Sequence, residues 1–214
     1  MEKIDILSLS PETLGQYLAE MGEPKFRAKQ LFSWLHQKQV TDFAQMTTLS
    51  LQLRQKLNEK FCINRLNIAR KLASSADDTV KYLYELPDGN FVETVLMDYH
   101  HGKSLCISTQ VGCRMGCQFC ASTIAGYVRD LQPSELLLQI YETQRDAGCR
   151  IDSIVLMGIG EPLDNFDNVV QFFRLLSHPD GMNMSLRHAA LSTCGLVPQI
   201  RQLADLRLGV TLSV

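Results

Sequence analysis

The chain has 214 residues, 45 % hydrophobic and 21 % charged, with a formal net charge of −2. This is an ordinary globular composition for one or two domains. It excludes a polyanion binder by overall charge, a membrane span (no run of roughly 18 apolar residues) and a signal peptide (Met1-Glu2-Lys3-Ile4-Asp5 is charged). The default compartment is the cytoplasm. The seven cysteines are an odd count, three of them inside 113–120, which points to metal chemistry rather than a secreted disulfide framework.

Charge is uneven. Residues 1–71 hold 11 Lys/Arg against 7 Asp/Glu, a net of +4, and the remainder holds 10 against 16, a net of −6. The basic excess hints at nucleic-acid contact through stretches such as Lys25–Lys29; a solvated helical surface is the alternative.

Residues 8–60 read as helices. Ser10 is an N-cap with Pro11 at the first helical position, and Leu14, Tyr17, Leu18 and Met21 follow at helical spacing until Gly22. Pro24 opens a second helix with an apolar stripe of Phe26, Leu31, Trp34 and Leu35, flanked by Lys25, Arg27, Lys29 and Lys38. A third helix runs near Leu49–Lys60. Segments 80–86 and 91–97 alternate like strands around the turn Pro87-Asp88-Gly89-Asn90 and form a hairpin. His100-His101-Gly102-Lys103 turns into a further strand over 104–110.

Beyond it strands and helices alternate: helix 133–147 ended by Gly148, strand 154–157, helix 165–176, strand 188–192, helix 197–204 and a strand starting at 208–212. This rhythm implies parallel strands with crossover helices. The expected division is a helical domain over 1–62, a β-hairpin linker region over 63–102 and an α/β core over 103–214. With about four strands and an open edge at Val214, the core reads as incomplete.

The cysteine loop Cys113-Arg-Met-Gly-Cys117-Gln-Phe-Cys120 has the spacing C-x3-C-x2-C. Three thiolates on one loop can hold three corners of a cubane cluster and leave the fourth iron open to a small chelating molecule. Zinc is the alternative, with Cys106, His100 or His101 as a fourth ligand. Phe119 can lie over a bound adenine or simply fill space. Gly158-Ile159-Gly160-Glu161-Pro162 follows the strand 154–157, where parallel folds place ligands; its glycines permit close approach to a ligand, and Glu161 offers a carboxylate to an ammonium group. Ser192-Thr193-Cys194-Gly195 ends the next strand in the same way.

The cysteine spacing, with an aromatic before the last Cys, resembles the radical S-adenosylmethionine (SAM) signature. The resemblance sharpens to the RlmN/Cfr family at Phe91-Val92-Glu93-Thr94-Val95, Ser104–Cys113, Pro24–Leu31 with Trp34, Gly158–Asn165 and Leu191–Gly195, and it spans the whole chain. It implies a partial (β/α)6-type barrel. It also implies a [4Fe–4S] cluster on Cys113, Cys117 and Cys120. SAM would be contacted by Gly160 and Glu161 at its amino group, by Ser192 at its sugar or carboxylate, and by Phe119.

The family methylates an adenine carbon of 23S rRNA, and its RlmN branch also acts on some tRNAs. An unreactive ring carbon resists polar methyl transfer, so the family first methylates one of its own cysteines and then abstracts hydrogen from that methyl group. The resemblance makes Cys106 the resolving cysteine, which closes a disulfide with the methyl carrier, and Glu93 the proton acceptor. Cys106 as a small strand residue and Glu93 as a solvated face residue are the alternatives. Carbon 2 is expected over carbon 8 (Cfr-type) because it is the more widespread activity. A flavodoxin or ferredoxin would donate the electron. The family's methyl-carrying cysteine lies beyond residue 214, and none of Cys62, Cys149 or Cys194 has its context, so this chain alone is expected not to complete the transfer. A different radical SAM activity and a zinc-dependent RNA-binding module are the competing readings.

Overall fold

A computed structural model describes residues 3–100 and 102–214; His101, expected in a turn, lies outside them. The N-terminal segment is built from three short helices. Helix α1, Pro11–Glu20, starts where the Ser10 hydroxyl accepts from Thr13 N–H at 3.2 Å, with Pro11 in the first turn, and buries Leu14 and Leu18. Helix α2, Phe26–His36, buries Ala28, Leu31, Phe32, Leu35 and His36. The expected stripe divides between two faces: Leu31 and Leu35 point inward, whereas Phe26 is 57 % exposed and Trp34 half-buried. Helix α3, Leu51–Lys60, begins two residues later than expected because Ser50 caps it, accepting from Leu53 N–H at 3.2 Å. A parallel pair, β1 (Ile4–Asp5) and β2 (Phe61–Cys62), joins the two ends of this segment.

Strands β3 (Asn67–Ala73), β4 (Val80–Glu85), β5 (Phe91–Tyr99) and β6 (Gly102–Ile107) run antiparallel in sequence order. Next come the short β7 (Gln110–Gly112) and β8 (Tyr127–Asp130), then α4 (Pro133–Ala147), β9 (Ser153–Leu156), α5 (Phe166–Ser177), β10 (Ala189–Ser192), α6 (Val197–Leu206) and β11 (Thr211–Ser213). One seven-stranded sheet has the order β11-β10-β9-β6-β5-β4-β3. Its β6, β9, β10 and β11 are parallel, with Leu105 beside Ile154, Ile154 beside Ala189 and Leu191 beside Leu212. These four parallel strands are those expected, and the hairpin β4–β5 extends the same sheet. The single strand expected over 104–110 divides into β6 and β7, because at Thr109 the backbone leaves the sheet and its N–H donates to Ile159 C=O at 2.8 Å.

Side chains two apart on a strand share a face. On one face Tyr82, Tyr84, Val92, Thr94, Leu96, Leu105, Ile107, Ile154, Leu156 and Leu191 are buried. Helix α4 covers part of it, with Thr94 Oγ1 donating to Gln139 Oε1 and the Tyr84 hydroxyl bonded to Thr143 Oγ1, each at 2.8 Å. Eleven consecutive residues of α4, Pro133–Thr143, are buried, because its far side meets the N-terminal segment. There His36 Nδ1 lies 3.0 Å from the Tyr141 hydroxyl, and Arg65 pairs with Glu142 at 3.3 Å. The opposite sheet face, carrying Glu93, Val95, Cys106, Val155, Ala190 and Ser192, is only half-buried. No helix among the described residues is long and apolar enough to cross a membrane.

Burial holds His36 neutral, pulling its imidazole down to about 3. A histidine depressed in the folded state contributes full stability above its unfolded value of ~6.5, and that contribution falls as pH drops toward 3. Urea unfolding should therefore show about 1 kcal/mol less stability at pH 5.5 than at pH 6.5 from this group alone. The same pair of measurements on His36→Phe should lack that increment; an unchanged slope would remove His36 as its source.

Candidate functional site

The cysteine loop is a closed excursion clamped at its base. Strands β7 and β8 pair antiparallel, with Gln110 opposite Asp130, Val111 opposite Arg129 and Gly112 opposite Tyr127. Gly112 has φ +72°, and a Cβ there would lie 1.8 Å from the carbonyl oxygen of Gly126, so only glycine allows the two strands to close. Cys113 N–H then donates to that oxygen at 3.2 Å. Inside the loop, Cys120 N–H donates to Cys117 C=O at 3.0 Å and Thr123 Oγ1 to Cys120 C=O at 2.9 Å. Outside it, Arg114 lies 3.7 Å over the Tyr127 ring and pairs with Asp164 at 2.8 Å.

Residues 158–165 are fastened beneath this loop. Gln110 Nε2 donates to Asp130 and Asp164 at 2.8 and 2.9 Å, while its Oε1 accepts from Glu161 N–H at 2.9 Å. Asn165 Nδ2 donates to Thr109 C=O and Leu131 C=O, both at 2.8 Å. Cβ atoms added at Gly158 and Gly160 would fall 2.7 Å from Ile107 O and 2.6 Å from Gln110 Cβ, so these glycines let the loop pack closely on the end of β6 and on Gln110. Gln110 and Asn165 are the organising residues that sequence reasoning missed. Their only signal is an amide side chain at a position that proves fully buried.

The result is a cavity of about 300 Å³ at the C-terminal ends of β9 and β10, where parallel folds bind ligands. Cys113, Cys117, Cys120, Phe119, Gly160, Glu161 and Ser192 all line it, together with Met157 and Cys194. Phe119 is 95 % exposed at the rim of the cavity. Glu161 is buried, and its carboxylate accepts from Leu163 N–H at 2.9 Å and Cys194 N–H at 2.8 Å. No Lys or Arg pairs with it among the described residues.

Burial pushes the Cys113 thiol up, and the nearby Cys120, Cys117 and Glu161 add to that shift. Burial and the Glu161 carboxylate push Cys194 up to about 11. A raised thiol beside a carboxylate favours a cation that neutralises both, which is the electrostatic character of a metal site. No three His, Cys, Asp or Glu side chains among the described residues are placed to share one metal ion. The thiols line a common wall, so the donor set suits a multi-iron cluster with a buried carboxylate beside it for an ammonium group.

Cys106 and Glu93 stand outside this wall. Cys106 sits opposite Val95 on β5 and Val155 on β9, on the half-buried sheet face. Burial pushes its thiol up, and the thiol is within hydrogen-bonding reach of the backbone of the cavity residue Met157. Glu93, two residues from Val95, shares that face and pairs with Lys81 at 2.6 Å. No disulfide is present among the described residues.

Comparison with known proteins gives two family models. Residues 4–63 match the ribosomal RNA large subunit methyltransferase N-terminal domain, and residues 107–214 match the radical SAM superfamily. The chain is 52 % identical over 213 residues to a probable dual-specificity RNA methyltransferase RlmN of Lachnoclostridium phytofermentans, covering 100 % of this chain and 60 % of that protein. A protein of the same description from Alkaliphilus oremlandii is 51 % identical, with 100 % and 62 % covered. A radical SAM methyltransferase from Sphaerobacter thermophilus has a crystal structure that superposes with a TM-score of 0.90 at 35 % identity, over 98 % of this chain and 62 % of that one. The chain thus spans about 60 % of the length of the curated relatives it matches.

Proposed function

The chain belongs to the radical SAM superfamily, its core joined to an RlmN-type N-terminal domain, and on that premise we propose that it is the cofactor-binding part of an RlmN-type RNA methyltransferase. The supporting observation is the single cavity that gathers three loop thiols, the buried carboxylate of Glu161 and the hydroxyl of Ser192. Members of the superfamily use a [4Fe–4S] cluster and SAM, which together supply a methyl group and a 5′-deoxyadenosyl radical. In this reading Cys113, Cys117 and Cys120 each hold one iron. Glu161 pairs with the amino group of SAM beside Gly160, Ser192 takes its sugar or carboxylate, and the exposed Phe119 closes over the adenine.

For the whole protein, Cys106 is the resolving thiol and Glu93 accepts the proton from the substrate adenine. Both lie on the half-buried sheet face next to the cavity. The methyl is carried by a further cysteine of the whole protein, and the target is carbon 2 of an adenine in 23S rRNA and in some tRNAs. Residues 1–62 contact RNA, 63–102 form the connecting hairpin region and 103–214 the radical core. A flavodoxin- or ferredoxin-type donor in the cytoplasm supplies the electron.

Nucleoside mass spectrometry of 23S rRNA fragments and tRNA treated with the whole protein tests this. Production of 2-methyladenosine is expected; 8-methyladenosine would move the assignment to the Cfr type, and no methylated adenosine would reject it. Glu161→Gln removes the charge opposite an ammonium group, which costs about 1.5–3 kcal/mol for a charge-assisted bond. SAM binding to the reconstituted chain should weaken roughly 10- to 100-fold, as read by equilibrium dialysis with iron content unchanged; equal affinity would remove Glu161 from the site.

A further inference from the structure

Phe26, Gln30, Trp34 and Lys38 follow one another at four-residue intervals along α2 and its C-terminal extension, with Lys29 and Ser33 beside them. These six residues and Thr48 line an open cavity of about 440 Å³, separate from the thiol-lined one. The floor is held in place from the sides. Trp34 Nε1–H donates to Thr48 Oγ1 at 2.8 Å, which fixes the edge of the indole. Arg27 lies 5.0 Å over the Phe26 ring, and its guanidinium donates to Gln30 at 2.7 Å and Thr48 C=O at 3.3 Å. Lys38 Nζ stands 3.5 Å from the centroid of the Trp34 ring and has no acidic partner among the described residues. Lys29 pairs with Asp180 at 2.9 Å but keeps 71 % of its side chain exposed.

Phe26 is exposed, and Trp34, half-buried against the core, keeps one ring face under Lys38 at the cavity; aromatic rings flanked by lysines in this way make a good stacking platform. Every base offers a π-face to such a ring, and cations at its rim meet the flanking phosphates. The cations are local to the cavity: Lys29 and Lys38 line it, and Arg27 lies over the Phe26 ring. We propose that this cavity takes an unpaired nucleobase of single-stranded RNA, stacked on Trp34, with Phe26 on the rim about two turns along α2 for the neighbouring base. Lys38 swings off the indole on binding and meets the adjacent phosphate. A single exposed cation–π contact is weaker than a base–aromatic stack, so the exchange favours the bound state. The inference takes its RNA partner from the function proposed above and adds the chemistry that grips it.

Trp34 is the chain's only tryptophan, so intrinsic fluorescence reports on this cavity alone. Titration of the 214-residue chain with an oligoadenylate of roughly eight nucleotides should quench it saturably. Anisotropy of labelled RNA should show affinity reduced about 10- to 100-fold in Trp34→Ala and largely restored in Trp34→Phe. Phe26→Ala, at an exposed position that the fold does not need, should weaken binding in the same direction. Lys38→Ala should flatten the salt dependence. A duplex of equal length should leave the fluorescence unchanged. RNA binding without quenching would overturn the stacking cavity and leave the RNA partner standing; quenching as strong with duplex, polyphosphate or an acidic peptide would also overturn it. No binding of any RNA would reject both. None of these measurements needs cluster or SAM, so they are independent of the radical chemistry.

Discussion

Replacing any one of Cys113, Cys117 or Cys120 by Ala is expected to drop anaerobic iron loading from about four irons per chain to near zero, with the brown charge-transfer absorption lost. On the proposed assignment each thiolate holds one corner of a cubane, and two ligands do not retain a cluster that three do. The substitutions change little else: Cys117 and Cys120 are only half-buried, and the fold's core lies elsewhere. Cys62→Ser and Cys149→Ser should load iron normally, since neither residue lines the cavity. Cys194→Ser separates the cluster from zinc. A zinc site needs four ligands; the fourth thiol lining the cavity is Cys194, and the sequence also offers Cys106, His100 or His101 for that place. Metal analysis of Cys194→Ser should therefore show iron and sulfide retained. Zinc in the unsubstituted chain, lost in this variant, would support the zinc reading instead.

Gly112→Ala is expected to be as damaging as losing a thiol, although it removes no ligand. The left-handed backbone at φ +72° costs a side chain roughly 1–2 kcal/mol, and the new methyl would meet a carbonyl oxygen at 1.8 Å. That oxygen is backbone and cannot rotate aside, so the β7–β8 clamp must open and release Cys113 from its bond to Gly126. Iron loading should fall at least about tenfold, and the 113–126 loop should become a preferred site of proteolytic nicking. Gly116→Ala is the matched control. Its φ is +71°, but nothing lies within 4 Å of the added Cβ, so it should cost about 1 kcal/mol and keep its cluster. Equal behaviour of the two variants would show that the clamp does not position the thiols.

Much of the fold could be read from the sequence where local chemistry decides it. The Ser10-Pro11 start of α1, the Gly148 end of α4 and the four parallel strands follow from caps and apolar rhythm that need no distant partner. Strand β3 was not legible, because all seven of its residues are exposed and show no alternation. The pairs β1–β2 and β7–β8 escaped notice for another reason. They are two to four residues long, and their pairing is set by contacts across the fold, such as Gly112 against Gly126. Strand β11 starts three residues later than expected, since Arg207 and Gly209 both take positive φ and use up the connection.

The cavity-lining residues were legible because cysteine spacing and a Gly-Glu-Pro run are local patterns. The amides that hold them together, Gln110 and Asn165, gave no such pattern, since their role depends on which backbone groups the fold brings within reach. The two faces of α2 were also hidden. Helical spacing marks Phe26 and Trp34 as apolar neighbours of Leu31 and Leu35, and only the packed structure turns Phe26 outward and leaves Trp34 half-buried.

The central claim is that Cys113, Cys117 and Cys120 hold a cluster whose remaining iron is open to SAM. Electron paramagnetic resonance of the anaerobically reconstituted and reduced chain, recorded with and without SAM, tests it most directly. A reduced [4Fe–4S] signal whose g-values shift when SAM is added is the expected result. Zinc uptake in place of iron, or a cluster signal identical with and without SAM, would contradict it.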